Sequence, residues 1–195
     1  MKRLFDIITS WVVLCFFLPF GIIISLLILL GSKGGVFYTQ ERIGKNGKPF
    51  GLFKFRSMKE NAEKDGRLTI GMRDPRITKV GFFLRKYKLD EFPQFINVLK
   101  GDMSIVGPRP EVKEYVDLYS EDQLLILNVR PGITDLASLE FFNENEILGK
   151  ADDAQKAYVD EVMPAKIELN KKYLENPTIG ADLKIMWRTF IKILS

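Results

Sequence analysis

Residues 89–110 read LDEFPQFINVLKGDMSIVGPRP, and the organisation of the chain follows from this stretch. Its apolar positions recur at helical spacing, which predicts a short amphipathic helix with one face packed inward. These positions are Phe92, Phe95, Ile96 and Leu99. Asp90 is placed to cap the start of this helix, and Gly101 is placed to end it.

Asp90 and Glu91 bring two neighbouring carboxylates to the predicted helix start. The start of a helix carries partial positive charge and attracts anions, so carboxylates there suggest chemistry at phosphorus. One carboxylate can attack a phosphoryl group while its neighbour orients the site or binds a metal. A Mg²⁺ ion held by one or two carboxylates and by substrate phosphates would neutralise a pyrophosphate.

The composition of the 195-residue chain narrows the possible chemistry. It has no histidine, which removes the usual general base, the Ser-His triads and histidine metal sites. Cys15 is the single cysteine, which excludes disulfides within the chain and thiolate zinc sites. The formal net charge is only +4, but residues 42–88 carry 14 lysines and arginines against 4 acidic residues. This basic middle third predicts an anionic partner.

Four basic side chains are candidates for binding phosphate: Lys54, Arg85, Arg109 and Arg130. Arg109 lies between two prolines, on a stiff extended backbone that lowers the entropy lost when it clamps an anion. Structural interpretations are also open. Lys54 can lie on a solvated strand face, Arg85 can complement a helix C-terminus, and Arg109 can sit in a solvated turn.

The N-terminal segment from Ile7 to Leu30 has 24 residues without a charge. As a helix it would be about 36 Å long, enough to cross a hydrocarbon core of about 30 Å. A signal peptide would have a shorter apolar region and a cleavage site of small residues, and neither is present. Pro19 lies near the middle, and basic residues flank both ends, so the positive-inside rule gives no orientation. The residues alone favour equally a helix bent at Pro19 that re-enters on the same side and a kinked transmembrane helix.

The remaining pattern predicts a mostly helical α+β fold, with residues 1–33 as a membrane helix and 34–195 as a catalytic domain. Residues 36–41 and 50–55 alternate on either side of Asn46-Gly47, which predicts a β-hairpin. The other predicted elements are a short strand or extended segment at 102–106, a basic turn at 130–134, a loop at 66–75, and helices at 58–65, 77–87, 111–123, 154–174 and 182–194.

The last of these helices, residues 182–194, is amphipathic. Trp187 and Ile191 fall on its apolar side, while Lys184 and Arg188 fall on the other side. Basic side chains beside a tryptophan-bearing apolar face suit a helix that lies at a membrane surface. Packing against the core explains the pattern equally well.

Five motifs carry a resemblance to a known family. They are FKFRSM at 53–58, LDE at 89–91 followed by Pro93-Gln94, NVLKGDMS at 97–104, VGPRP at 106–110 and VRPGIT at 129–134. In this order, behind an apolar N-terminus, they cover nearly the whole chain. The chain resembles the bacterial sugar transferases, that is, the monotopic polyprenol-phosphate phosphoglycosyl transferases.

The resemblance implies a two-step exchange at the cytoplasmic face of the bacterial inner membrane. Asp90 would attack the β-phosphate of a UDP-sugar and release UMP, and polyprenol phosphate would then take the phosphosugar from the enzyme. By the same resemblance Glu91 pairs with the nucleophile, Mg²⁺ is required, and Lys54, Arg85 and Arg109 are cations of the active site. The family's membrane helix is re-entrant and bent at a proline, which favours that topology over a spanning helix.

Two positions depart from the family pattern. Leu18 stands where the family often has serine before the helix proline, so the serine that would support the bend is absent. Asp135-Leu136 follows the VRPGIT motif where many members have Gly-Trp, so the choice of sugar does not transfer.

Two further function classes are distinguishable by sequence. A nucleotide-sugar glycosyltransferase on a membrane anchor commonly holds its metal through an Asp-x-Asp pair, and the sequence has none. A membrane-tethered, non-catalytic binder of anionic ligands would use the basic middle but would leave Asp90 and Glu91 without purpose. The enzyme interpretation is favoured, with no nucleic acid partner expected, and it assigns no role to residues 143–146 and no oligomeric state.

Overall fold

The computed structural model describes residues 1–60, 62 and 74–194, with the backbone alone at 145 and 146. The helix expected over 58–65 and the loop expected over 66–75 therefore lie largely outside the described residues. The described part is mostly helical, with two small two-stranded sheets, as the predicted α+β class requires. The division into residues 1–33 and 34–195 stays a prediction.

Helix α1, Lys2–Gly31, packs against the rest of the protein through one stripe of side chains. Its buried residues are Asp6, Ser10, Ile24 and Ile28. Most of the other large apolar side chains of α1 are exposed, and this helix is long and apolar enough to cross a membrane. Pro19 lies inside α1, and the helix continues through it. The bend expected at Pro19 therefore stays a prediction.

The first turns of α1 are bonded to the segment that follows the acidic pair. Arg3 donates to the carbonyl oxygens of Val98, at 2.7 Å, and Leu99, at 3.2 Å. The buried Asp6 carboxylate accepts from the Ser104 hydroxyl, at 2.8 Å, and from the Ile105 amide, at 3.2 Å. Arg3 is one of the basic residues that flank the apolar segment in the sequence, and in the structure it binds the last carbonyls of a helix.

The far end of α1 is bonded to the same body of protein. Arg56 donates to the carbonyl oxygens of Ser32, at 2.9 Å, and Lys33. Ile24 and Ile28 pack in one cluster with Phe55 and Leu84. Arg56 therefore serves the end of α1, because its guanidinium donates to carbonyl oxygens just beyond the last turn of the helix.

The predicted hairpin is present, with β1 at Phe37–Ile43 and β2 at Pro49–Phe55 paired antiparallel. Its turn uses Asn46, at φ 57°, and Gly47, at φ 70°. Two consecutive residues with positive φ match the turn that joins twisted strands most closely, and Asn-Gly favours this conformation.

Helix α2, Lys79–Lys86, begins at Thr78, whose hydroxyl accepts from the Gly81 amide. A single 3₁₀ turn at Leu89–Glu91 follows, and α3 begins only at Gln94 and ends at Lys100. The prediction that Asp90 caps a helix is therefore wrong, because Asp90 lies within the separate 3₁₀ turn. Gly101 ends α3 at φ 96°, as predicted.

The buried face of α3 differs from the predicted apolar face. Gln94, Asn97 and Val98 are buried, whereas Ile96 is 40% exposed. Asn97 turns inward because it bonds to the backbone of β2: its side-chain oxygen accepts from the Phe53 amide at 3.0 Å. A polar residue that satisfies buried backbone groups overrides the apolar periodicity.

A second, parallel sheet joins β3, Ser104–Val106, to β4, Gly132–Thr134. The strand expected at 102–106 is confirmed, but residues 130–134, expected as a turn, include a strand. A Cβ atom on Gly132 would lie 2.2 Å from the Gly107 amide nitrogen, so glycine allows the two backbones to approach. This sheet carries the chain directly into Arg109.

The remaining helices surround these elements. They are α4 at Lys113–Val116, α5 at Glu121–Leu124, α6 at Leu136–Glu140, α7 at Glu144–Gly149, α8 at Ala154–Ala157, α9 at Met163–Glu175 and α10 at Ile179–Leu194. The single helix expected at 111–123 is two, since the Ser120 capping box with Gln123 starts a new helix. The long helix expected at 154–174 is confirmed apart from a π-helical turn at Tyr158–Val162.

Helix α10 packs inward through Asp182 and Ile185. The apolar residues predicted for one side are exposed, with Trp187 at 64% and Ile191 at 48%. Core packing by this apolar side is therefore excluded within the described structure.

Candidate active site

Asp90 is a buried carboxylate, 5% exposed, in the 3₁₀ turn between α2 and α3. Among the described residues its Oδ1 atom has no hydrogen-bond partner. Burial raises the pKa of Asp90, against the attraction of Lys54 and Arg85. A buried, unpaired carboxylate oxygen costs free energy, which makes Asp90 the candidate for a reacting or ligand-binding group.

Glu91 has the opposite environment. Its carboxylate accepts from Lys54 Nζ at 3.0 Å and from Arg109 Nη1 at 3.2 Å and Nη2 at 2.5 Å. Burial alone would raise the pKa of Glu91, but Arg109 and Lys54 together hold this pKa well below its usual range. Glu91 is therefore a permanent anion that fixes two cations.

The two cations reach Glu91 from different elements. Lys54 lies on β2, and burial lowers its pKa despite the neighbouring Glu91. Arg109 lies just beyond β3, and Glu91 raises its pKa. The arginine binds both carboxylate oxygens, a bidentate geometry that restricts its orientation as well as its position.

Arg85 lies in the last turn of α2, and its Nε donates to the Ser57 hydroxyl at 3.1 Å. Burial lowers the pKa of Arg85, and among neighbouring charges Asp90 counters this most. The structure thus places Arg85 with the acidic pair.

Arg130 lies elsewhere. Its Nε donates to the Gly101 carbonyl at 2.8 Å, and the side chain is exposed. Among the described residues, no hydrogen bond or ion pair joins Arg130 to Asp90 or Glu91. Of the four predicted phosphate-binding cations, the structure therefore groups Lys54, Arg85 and Arg109 with the carboxylates and uses Arg130 at the end of α3.

Asp135 is a residue of this region to which the sequence assigned no site role. It is completely buried and accepts from the Arg109 amide at 3.0 Å. It also caps α6 by accepting from the Ser138 amide. The signal available in the sequence was an aspartate placed just before an apolar helical pattern, which indicates a cap but not its second partner.

A second ion network lies beyond Arg109. Arg42 donates to Glu111 at 3.3 Å and to the Pro110 carbonyl at 3.2 Å, and Tyr158 donates to the other Glu111 oxygen. Burial and Glu111 together raise the pKa of Tyr158, which keeps this hydroxyl a donor. The network fixes the backbone on the far side of the arginine, and no spacing rule pointed to it.

The expected Mg²⁺ ion would find few protein ligands at this site. The described residues include no cluster of three or more histidine, cysteine, aspartate or glutamate side chains. Mg²⁺ does not need one, since it is commonly held by one or two carboxylates, waters and substrate phosphates. The unpaired Asp90 oxygen fits such a site, whereas both Glu91 oxygens are already bonded to cations.

The site thus combines a buried carboxylate that has an unpaired oxygen with neighbouring cations and a long apolar helix. The sequence profile described as bacterial sugar transferase matches residues 1–195. The chain therefore belongs to the bacterial sugar transferase family, and it is a transferase.

Three relatives illustrate the family. A provisionally assigned undecaprenyl-phosphate N-acetylgalactosaminyl 1-phosphate transferase of Bacillus subtilis (strain 168) is 44% identical over 78% of this chain and 82% of its own length. An Aeromonas hydrophila UDP-N-acetylgalactosamine-undecaprenyl-phosphate N-acetylgalactosaminephosphotransferase is 36% identical over 100% of this chain and 44% of its own length. An Escherichia coli (strain K12) UDP-glucose:undecaprenyl-phosphate glucose-1-phosphate transferase is 39% identical over 98% and 40%. The chain thus spans less than half of the latter two proteins.

Proposed function

We propose that this protein moves a sugar 1-phosphate from a UDP-sugar to a polyprenol phosphate through a covalent intermediate on Asp90. The observation that carries the proposal is the buried Asp90 carboxylate with an unpaired oxygen beside cations. The names of the relatives describe transfers of this kind with different sugars, so the proposal covers UDP-sugars as a class.

The first step forms the aspartyl intermediate. An oxygen of the Asp90 carboxylate bonds to the β-phosphorus of the UDP-sugar, and the bond from that phosphorus to the bridging oxygen breaks. UMP leaves with the bridging oxygen and its electron pair. Because Asp90 attacks as an anion, no general base is needed, which suits a chain without histidine.

The second step returns the enzyme to its starting state. A phosphate oxygen of polyprenol phosphate bonds to the same phosphorus, and the acyl–phosphate bond to Asp90 breaks. The product is a polyprenol-diphosphate sugar, and Asp90 is again a carboxylate. Each step exchanges one phosphorus–oxygen bond for another, so no oxidant or reductant takes part.

The three grouped cations are suited to a pyrophosphate. Lys54 and Arg109 are held by Glu91 before any substrate arrives, so they need no reorganisation when negative charge develops on the leaving phosphate. Arg85 lies on the Asp90 side, where it can bind the phosphate that receives the attack. Arg130 stays a prediction as a further phosphate-binding residue.

Mg²⁺ is part of the proposal. Asp90 would hold the ion with substrate phosphate oxygens, and the bound ion would neutralise the pyrophosphate as UMP leaves. Glu91 as a metal ligand stays a prediction, since ligation would require it to release a cation.

The packing of α1 supports a re-entrant rather than spanning topology. A 30-residue helix is about 45 Å long, so one that crosses a bilayer puts its ends on opposite sides. Here Arg3 and Ser32, near the two ends, are both bonded to the same domain. In the middle of α1, Phe17 stacks on Phe92 with ring centroids 3.8 Å apart, which brings the apolar helix next to Glu91.

We place this domain at the cytoplasmic face, where nucleotide sugars are made. The exposed apolar side of α10, with Trp187 and Ile191, would lie at the lipid surface beside α1. Both helices would then bring a membrane-bound polyprenol phosphate to the carboxylates.

The reaction is tested with purified protein, a panel of UDP-sugars and Mg²⁺, without a lipid acceptor. We expect stoichiometric UMP release and an intact-mass increase equal to one phosphosugar, with the adduct on the peptide that contains Asp90. Asp90→Asn should abolish both, and Asp117→Asn, at an exposed aspartate, should change neither. Steeply salt-dependent nucleotide binding without UMP release from any UDP-sugar would instead support the non-catalytic binder.

A further inference from the structure

Asp135 makes more bonds than a helix cap requires. Its Oδ1 accepts from the Ser138 amide at 2.5 Å, which is the capping bond of α6. Its Oδ2 accepts from the Arg109 amide at 3.0 Å and from the Asn170 side-chain amide at 3.0 Å. Asp135 and Asn170 are 0% and 4% exposed. The same buried carboxylate therefore joins α6, α9 and the segment that carries the active-site arginine.

The bond from the Arg109 amide to Asp135 lies between two prolines. Pro108 and Pro110 have no N–H group, so the Arg109 amide is the one backbone donor of this tripeptide. The parallel pairing of β3 and β4 continues as the Gly107 amide bonds to the Thr134 carbonyl at 3.1 Å. The Asp135 side chain then accepts the next amide along, and so extends the pairing by one position beyond the end of β4.

We propose that Asp135 is a positioning residue for the reaction, which sets the place of Arg109 relative to Glu91 and the substrate pyrophosphate. The proposal rests on the proposed function only in taking Arg109 as a phosphate-binding group. The Asp135–Arg109 bond fixes the arginine backbone, and the bidentate Glu91 pair fixes its guanidinium. Asn170 holds the Asp135 oxygen that receives the Arg109 amide.

One substitution separates the two roles of Asp135. In Asp135→Asn, the amide oxygen can still cap α6, because asparagine is as good an N-cap as aspartate. The side-chain NH₂ group must then face the Arg109 N–H, so donor meets donor and the Arg109 bond is lost. The Asn170 amide can rotate to present its oxygen, which has no partner among the described residues, to the new NH₂ group. The two side chains have nearly the same volume, so packing is preserved.

Hydrogen exchange reports the bond directly and without substrate. Within residues 108–110 the Arg109 amide is the only backbone group that can exchange. We expect exchange at Arg109 to accelerate at least about 10-fold in Asp135→Asn. The matched control is Asp182→Asn, at another buried aspartate, 1% exposed, which bonds Lys2 and Tyr173. Equal Arg109 exchange in wild type and Asp135→Asn would overturn the proposal.

A double-mutant cycle tests the link to catalysis. We expect Asp135→Asn to lower kcat/KM for UMP release by about 10- to 100-fold, the cost typical of a small misplacement of a catalytic group. In an Arg109→Ala background the same change should cost less than about 2-fold, because its effect acts through the arginine. Asp182→Asn should leave kcat/KM within about 2-fold of wild type in both backgrounds.

The outcomes separate the two proposals. Additive losses from Asp135→Asn and Arg109→Ala would mean that Asp135 acts only through general stability, and would overturn its positioning role. Wild-type protein that releases no UMP from any UDP-sugar would overturn the proposed function. The exchange measurement would then still decide whether Asp135 orders the Arg109 backbone.

Discussion

Asp90→Asn should abolish UMP release and at the same time make the protein more stable. Burial raises the pKa of Asp90, so the folded state disfavours its charged form relative to the unfolded chain. Above the pKa of the unfolded chain, folding must either bury this charge or bind a proton, and both cost free energy. Asparagine has the same shape without the charge, so it removes that cost.

The size of this effect follows from the environment of one side chain. Asp90 is 5% exposed, and its Oδ1 has no partner among the described residues. Asparagine still places a polar atom there but removes the charge, and an unsatisfied charged group costs more than a neutral one by about 1–3 kcal/mol. For a chain of this size 1 kcal/mol moves the melting temperature by roughly 2–4 °C, so Asp90→Asn should melt about 2–12 °C higher.

The neighbouring carboxylate gives the contrasting result. Glu91→Gln leaves Lys54 and Arg109 without their anion, and breaking a buried ion pair costs about 3–5 kcal/mol. The Arg109 side chain is 31% exposed, so solvent screening reduces this to about 2–4 kcal/mol. Adjacent positions with the same chemical change should therefore shift the melting temperature in opposite directions.

The assay is thermal unfolding in one detergent or in nanodiscs at neutral pH, followed by tryptophan fluorescence, with single-turnover UMP release on the same samples. Asp117→Asn, at an exposed aspartate, is the control and should change the melting temperature by less than about 1 °C. If Asp90→Asn melts below wild type, the Asp90 charge is stabilised in the folded protein. The argument from its burial and unpaired oxygen would then be refuted.

Four further outcomes follow from the site and its surroundings. Single-turnover UMP release should rise with pH through one ionisation above the usual aspartate pKa of 3.8, because Asp90 must lose its proton to attack; a pH-independent rate would contradict this. The depressed pKa of Glu91 gives stability that is present above its unfolded value and lost as pH falls through the folded value, so Glu91→Gln should show a shallower acid transition than wild type. Lys54→Met should slow UMP release by about 100-fold, and a loss below about 3-fold would remove Lys54 from the pyrophosphate site. Trp187→Glu with Ile191→Glu should weaken liposome binding in flotation assays while UMP release in detergent stays within about 2-fold of wild type.

Much of the fold was predictable because its signals are local. Asn46 and Gly47 form the hairpin turn because both readily adopt positive φ angles, and Gly101 ends α3 for the same reason. The apolar stretch of α1 is similarly evident from composition. For the site, local motifs led to Asp90 and Glu91, and the basic middle third led to Lys54.

The sequence-based predictions failed where a side chain's position depends on the backbone conformation or on partners far away in the sequence. Asp90 looked like a helix cap, but Lys88 adopts φ 54° and the chain makes a separate 3₁₀ turn before α3. Asn97 lies outside the predicted apolar face, yet it is buried because its side chain bonds to the backbone of β2, 44 positions away. Asp135 could be read as a cap, but its bond to Arg109 depends on the pairing of two strands. Spacing along the chain carries no information about such partners.

Glu91 explains how the site can be charged and ready before substrate arrives. A lysine ammonium has three N–H donors and a guanidinium has five. Among the described residues, Glu91 takes one from Lys54 and two from Arg109. Both side chains therefore keep donors for phosphate oxygens without breaking their ion pairs. Asp90, with an unpaired oxygen, is the anion that can react. Glu91 therefore positions the cations, and Asp90 attacks.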